Sequence, residues 1–174
     1  MDGINTNTKE IRHHRRSDFG GRPRPPREKS EFDSQFLDIA RVTRVTKGGK
    51  RFSFRVALVI GDKKGQVGLG VAQGVDVAQA MQKATARAHK NLMKIPLAGL
   101  TIPRETASKY HSAMVILKPA RPGSGIKAGG PVRAIAKLAG IQNITSKLVR
   151  RTKNKINIAQ ATLKALKSLK VNSK

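Results

Sequence analysis

The sequence predicts an α+β fold of two small domains, and three observations predict it. Phe52, Phe54, Val56, Leu58 and Ile60 occupy every second position, the period of a strand with one buried face. Three strands are followed by one helical stripe that ends at Pro96, where proline removes a donor and stops the helix. Behind Pro96 a second series begins with a strand, a glycine-rich loop, a helix, a strand and a last helix, so Pro96 marks the domain boundary.

The elements follow in order. Residues 1–35 mix charge, Gly and Pro with almost no apolar side chains, the composition of a disordered segment. Residues 36–46 are rich in β-branched residues and predict a first strand, its apolar pattern interrupted by Arg41 and Arg44. Gly48-Gly49 between Lys47 and Lys50 predicts a hairpin turn, since glycine takes positive φ without steric cost. The second strand covers 51–60, with Arg51, Ser53 and Arg55 on its other face before that face turns apolar at Ala57 and Val59. The turn Gly61-Asp62-Lys63-Lys64-Gly65 leads to a third strand over 66–72. Gly68, Gly70 and Ala72 leave one face of that strand bare, so another backbone, protein or RNA, can approach it.

Asp76 with Gln79 is a capping box that starts a helix. Ala78, Met81, Ala84, Ala88 and Leu92 form its apolar stripe, and Lys83, Arg87, Lys90 and Lys94 share another face. Residues 97–103 read as extended and 113–118 as a strand, followed by the loop of residues 119–130. Pro131 fits the first turn of a helix striped by Val132, Ile135, Ala136 and Ala139 and ended by Gly140. A strand over roughly 142–149, a basic turn at Arg150, Arg151, Lys153 and Lys155, and a helix over about 156–169 complete the chain; Ala159, Leu163, Leu166 and Leu169 face inward in that helix.

Charge points to the partner. The chain has 36 Lys and Arg against 10 Asp and Glu, a formal net charge of +26 that repels itself unless it meets a polyanion. Six of the ten acids precede residue 36, so the excess belongs to the part that folds. Aromatics are only 3% with no Trp, which disfavours base stacking and favours contact with phosphates and helix shape. An anionic membrane is the rival surface, but no apolar run approaches the ~18–20 residues of a spanning helix, and no signal peptide is expected.

No enzyme, metal or cofactor is expected. With no cysteine, thiolate sites and disulfides are excluded. His13 and His14 lack a third ligand nearby, and the glycine loop is neither of the usual phosphate-cradle patterns. Beyond residue 35 only Asp38, Asp62, Asp76 and Glu105 remain, with no positioned acid–base pair and no small-molecule substrate implied.

Strand, strand, strand, helix is the double-stranded-RNA-binding layout without its first helix. KGGKRFSF, GDKKGQVGLG, KNL, TIP, LKPA, GSG, AGGPVRA and LAGI stand in series. In that order they resemble the bacterial-type small-subunit ribosomal protein number five family over residues 32 to about 169. The resemblance implies a tail over 1–31, a truncated double-stranded-RNA-binding domain over 32–95, an α/β domain with a left-handed βαβ crossover over 96–170, and a tail over 171–174. It implies a structural role at the junction of head and body of the small subunit, in the cytoplasm or on an organellar ribosome. The partners implied are small-subunit rRNA, proteins S-four and S-eight and the path by which mRNA enters, with an influence on decoding accuracy. A free RNA-binding or RNA-chaperone module is the second reading.

The loop Lys47 to Gly49 is implied to reach rRNA, with Gly123, Gly125 and Arg133 toward S-four. Together with charge, this makes Arg41, Arg44, Lys47, Gly48, Gly49, Lys50, Arg51 and Arg55 candidate rRNA contacts. Lys63, Lys64, Gly68, Gly70, Arg121, Lys127, Arg150, Arg151, Lys153 and Lys155 complete the set. The chain departs from the common family pattern at Gln66, Arg104, Arg121-Pro122, Lys127 and Lys155, and four of these five changes introduce a basic residue.

Overall fold

The computed structural model describes residues 31–150 and 152–169. The readings of residues 1–30 and 171–174 as tails, and any role of Arg151, lie outside these residues. The first sheet is antiparallel, in the order β1 (Asp33–Thr46), β2 (Gly49–Gly61), β3 (Gln66–Gly74), β4 (Met93–Lys94), with α1 (Val77–Lys90) on one face. The second sheet runs β5 (Thr106–Tyr110), β6 (Ala113–Pro119), β8 (Ile144–Leu148), β7 (Ile126–Lys127), and α2 (Gly130–Ala139) connects β7 to the parallel β8 as a βαβ unit. The last helix is α3 (Lys155–Lys167).

The strand period of β2 does more than the single buried face expected of it. Val56, Leu58 and Ile60 pack with Ala72 against Ala80, Ala84 and Ala88 of α1. The alternate residues Ala57 and Val59 join Val67 and Leu69 in a core shared with α2, α3 and the second sheet. Residues 56–60 are therefore buried on both faces, and the two sheet–helix units meet through one continuous core. The turn after β2 is seated in that contact, Lys63 N donating to Leu138 O (2.9 Å) and Gly65 N to Ala139 O (3.1 Å) at the end of α2.

Gly68 and Gly70 do not receive RNA. A Cβ on Gly68 would stand 2.2 Å from Ala88 O, and one on Gly70 1.9 Å from Ala84 O. The backbone that approaches these glycines is α1, and both are buried beneath it.

Other elements differ from expectation in extent. The stripe of α1 uses Ala80 in place of Ala78, and the helix stops at Lys90, because Met93–Lys94 pairs with Gln66 and Val67 as an edge strand. Asp76 caps α1 as expected, but the Gln79 side chain accepts from Val75 N (3.3 Å), one residue before the cap. Within the stretch expected to be extended, residues 98–101 close a small turn, and β5 carries no sequence signal because its alternation is weak. α2 begins at Gly130 with Pro131 in its first turn and ends on Gly140 in the left-handed region (φ 82°), as its punctuation predicts.

β1 starts at Asp33, three residues earlier than expected. Phe32 packs on the α1 core with its ring edge-on to His89, and Asp33 pairs with Lys63. A chain beginning at residue 36 is thus expected to be less stable than one beginning at residue 32, by about 1–3 kcal/mol from lost apolar burial and strand pairing. Urea denaturation of the two chains checks this; equal midpoints would mean that residues 32–35 add nothing to the fold.

Candidate nucleic-acid interface

The hairpin extends beyond its sheet. β3 pairs with β2 only as far as Phe54↔Gly74, whereas β1 and β2 continue to Thr46↔Gly49, five further residue pairs. At ~3.4 Å per residue the bare ribbon projects about 17 Å. Its loop is Lys47-Gly48, closed by Thr46 Oγ1 donating to Gly49 O (3.2 Å). Only Gly49 has the positive φ expected of both glycines (φ 128°). Among the described residues no atom lies within 4 Å of a Cβ built on Gly48, so none of them demands a glycine there.

Alternation sorts the ribbon's side chains onto two faces. Arg41 and Arg44 are three apart and so project oppositely. Arg44 stands directly opposite Arg51, and Arg55 lies further along the same face opposite Ala40. Like charges in register destabilise an isolated sheet. Among the described residues no carboxylate pairs with Arg44, Arg51, Lys47 or Lys50. Arg41 lies instead over the Phe52 ring, 4.0 Å from its centroid. That face carries Phe36, Ile39, Val45 and Phe52, all about half exposed or more, so Phe52 is a stacking platform for Arg41 rather than the core residue its spacing suggested.

The acids from Asp33 onward are occupied elsewhere. Asp33 pairs with Lys63 and Glu105 with Lys118 (3.1 Å), Asp76 caps α1, and Asp62 Oδ1 accepts from Lys64 N (2.7 Å) and Gln66 N (2.9 Å). Asp38 pairs with Lys155 (3.1 Å), tying β1 to the start of α3. Lys63 and Lys155, two expected RNA contacts, thus already hold carboxylates; such exposed pairs contribute only ~0–1 kcal/mol and leave the cations partly accessible. Lys153 is exposed just before Asn154, whose Oδ1 caps α3 by accepting from Ile156 N (3.1 Å) and Asn157 N (3.3 Å). The basic face of the ribbon therefore continues from Arg44 and Arg51 through Arg55 to the Asp38–Lys155 contact at the base of the hairpin.

The remaining expected residues lie on the second unit or the turn. Lys64, Arg121, Lys127 and Arg150 are exposed. The loop of Gly123 (φ 80°) and Gly125 (φ 68°) is held from two sides. Gly125 N donates to the buried Asn143 Oδ1 (3.1 Å), and the Arg133 guanidinium donates to Ile126 O (2.8 Å). Asn143 escaped the sequence reading, because its partner is 18 residues away and no pattern marks it. Arg104, one of the unusual residues, donates to Ser168 O (3.2 Å) at the end of α3.

These features define a strongly basic, two-domain α+β protein that displays unneutralised cations on a projecting hairpin. Residues 32–96 match the family description "Ribosomal protein S5, N-terminal domain", and residues 108–173 match "Ribosomal protein S5, C-terminal domain". The chain belongs to the ribosomal protein S5 family. It is 48% identical over 139 residues to the small ribosomal subunit protein uS5 of Thermotoga neapolitana, covering 80% of this chain and 78% of that one. It is 46% identical over 139 residues, with the same coverage, to that of Thermotoga maritima. To that of Pseudothermotoga lettingae it is 45% identical over 143 residues, covering 82% of this chain and 80% of the relative.

Proposed function

We propose that this chain is a structural component of the small ribosomal subunit that binds small-subunit rRNA at the junction of head and body and contributes to decoding accuracy. The observation that carries the RNA reading is the in-register Arg44–Arg51 pair on a bare ribbon with no carboxylate partner among the described residues. Such a pair is unfavourable alone and becomes favourable against phosphates. The Lys47-Gly48-Gly49 tip lets a backbone approach closely at Gly48. Residues 32–95 then form the RNA-binding-like unit and residues 96–170 the second unit. The Gly123–Gly125 loop with Arg133 faces S-four in this reading, S-eight is a second protein neighbour, and the path of incoming mRNA lies nearby. The fold and its family support a ribosome-bound position in the cytoplasm and no catalytic role.

Binding of the full chain to a small-subunit rRNA transcript is expected to weaken steeply with salt, with a slope of roughly −5 or steeper in log K against log salt, because each phosphate contact releases counterions. A nearly flat slope overturns the electrostatic reading. Co-sedimentation with small subunits separates this reading from a free RNA-binding module, which would remain at the top of the gradient.

A further inference from the structure

We propose that the open face of the second sheet is a second phosphate-docking surface for RNA, distinct from the hairpin; this rests on the reading of the chain as an rRNA-binding protein. α2 and α3 cover one face of that sheet, where Ala113, Val115, Leu117 and Ile144 are buried. Alternation sends the intervening residues to the other face, which no helix covers among the described residues. That face bears Lys109 on β5, Lys118 on β6, Lys147 on β8 and Lys127 on β7, all exposed. The register makes them a cluster. Lys118 stands opposite Thr145, Thr145 is paired on its other side with Lys127, and Lys147 is two residues along the same strand. With strands ~4.8 Å apart and alternate residues ~6.7 Å apart, three ammonium-bearing positions lie within about 10 Å of Thr145. Lys109, opposite Met114, extends the surface to the far strand.

The counter-charge is small. Glu105 pairs with Lys118 (3.1 Å), and both groups are more than half exposed. All four cations are lysines. Lysine meets a phosphate as a flexible point charge that needs no fixed planar geometry, so separate ammonium groups can follow successive phosphates. The face carries no aromatic ring, so it suits backbone contact rather than base stacking. Charge complementarity between this cluster, on a chain of formal net charge +26, and a continuous row of phosphates favours RNA backbone as the occupant.

The test uses the full chain and a small-subunit rRNA transcript. Lys109→Gln/Lys127→Gln/Lys147→Gln is expected to make the salt slope shallower by about 2–3, at ~0.9 per lost contact, and to weaken binding on the order of 10- to 100-fold near physiological salt. Arg44→Gln/Arg51→Gln is measured in parallel. If the arginine variant lowers the slope and the lysine variant does not, this proposal fails while the rRNA reading stands; if neither does, the rRNA reading itself fails. Amine acetylation of the unmutated chain gives a readout free of any folding effect. Lys109, Lys127 and Lys147 are expected to be shielded by the naked transcript. Shielding only in assembled subunits would assign the face to a protein neighbour and overturn the proposal.

Discussion

Gly70→Ala is expected to destabilise the protein by about 3 kcal/mol or more, although it adds only one methyl group. The new Cβ would stand 1.9 Å from Ala84 O and 2.8 Å from Ala88 N, both backbone atoms of α1. A flexible side chain could rotate away from such a contact, but a helix backbone cannot. α1 must lift from the sheet, and Ala80, Ala84 and Ala88 lose their seat on Val56, Leu58 and Ile60. Gly48→Ala is the matched control, since its Cβ meets nothing within 4 Å, and it should change stability by less than about 0.5 kcal/mol. Urea denaturation of both variants decides. A Gly70→Ala midpoint close to that of the unmutated chain would mean that α1 is not seated on these glycines.

Arg44→Gln/Arg51→Gln should have opposite effects on folding and on binding. The two arginines are in register on one face of the ribbon, exposed, and without a carboxylate partner among the described residues. Removing both relieves a repulsion, so the melting temperature should stay level or rise slightly. Affinity for the rRNA transcript should fall on the order of tenfold or more, with the salt slope shallower by about 2. A merely structural role predicts the reverse, a lower melting temperature with unchanged affinity. That result would remove the hairpin from the interface.

The two variants separate two kinds of information. Where a local rule acts alone, the sequence is a sufficient guide. Pro131 and Gly140 bracket α2 because each suits one end of a helix and nothing else nearby competes. The spacing of Ala159, Leu163 and Leu166 sets the buried stripe of α3 in the same way. The hairpin, its cationic tip and the positive φ of Gly49 are likewise local properties.

Partnership between distant residues was not legible. Gly68 and Gly70 look like openings for a ligand until α1 is placed over them. Phe52 continues the apolar alternation of β2, but it lies beyond the end of β3, where no layer of the described residues covers it. Leu37 turns inward because the register shifts between Phe36 and Asp38, a bulge that composition does not announce. Lys155 is one more cation in a basic run until Asp38, 117 residues earlier, is found beside it. The sequence by itself determined period, turn chemistry and net charge, because these depend on residues a few positions apart. Only the tertiary structure decided which faces are covered and which cations remain unpaired, because burial and pairing are set by the surfaces that the completed fold brings together.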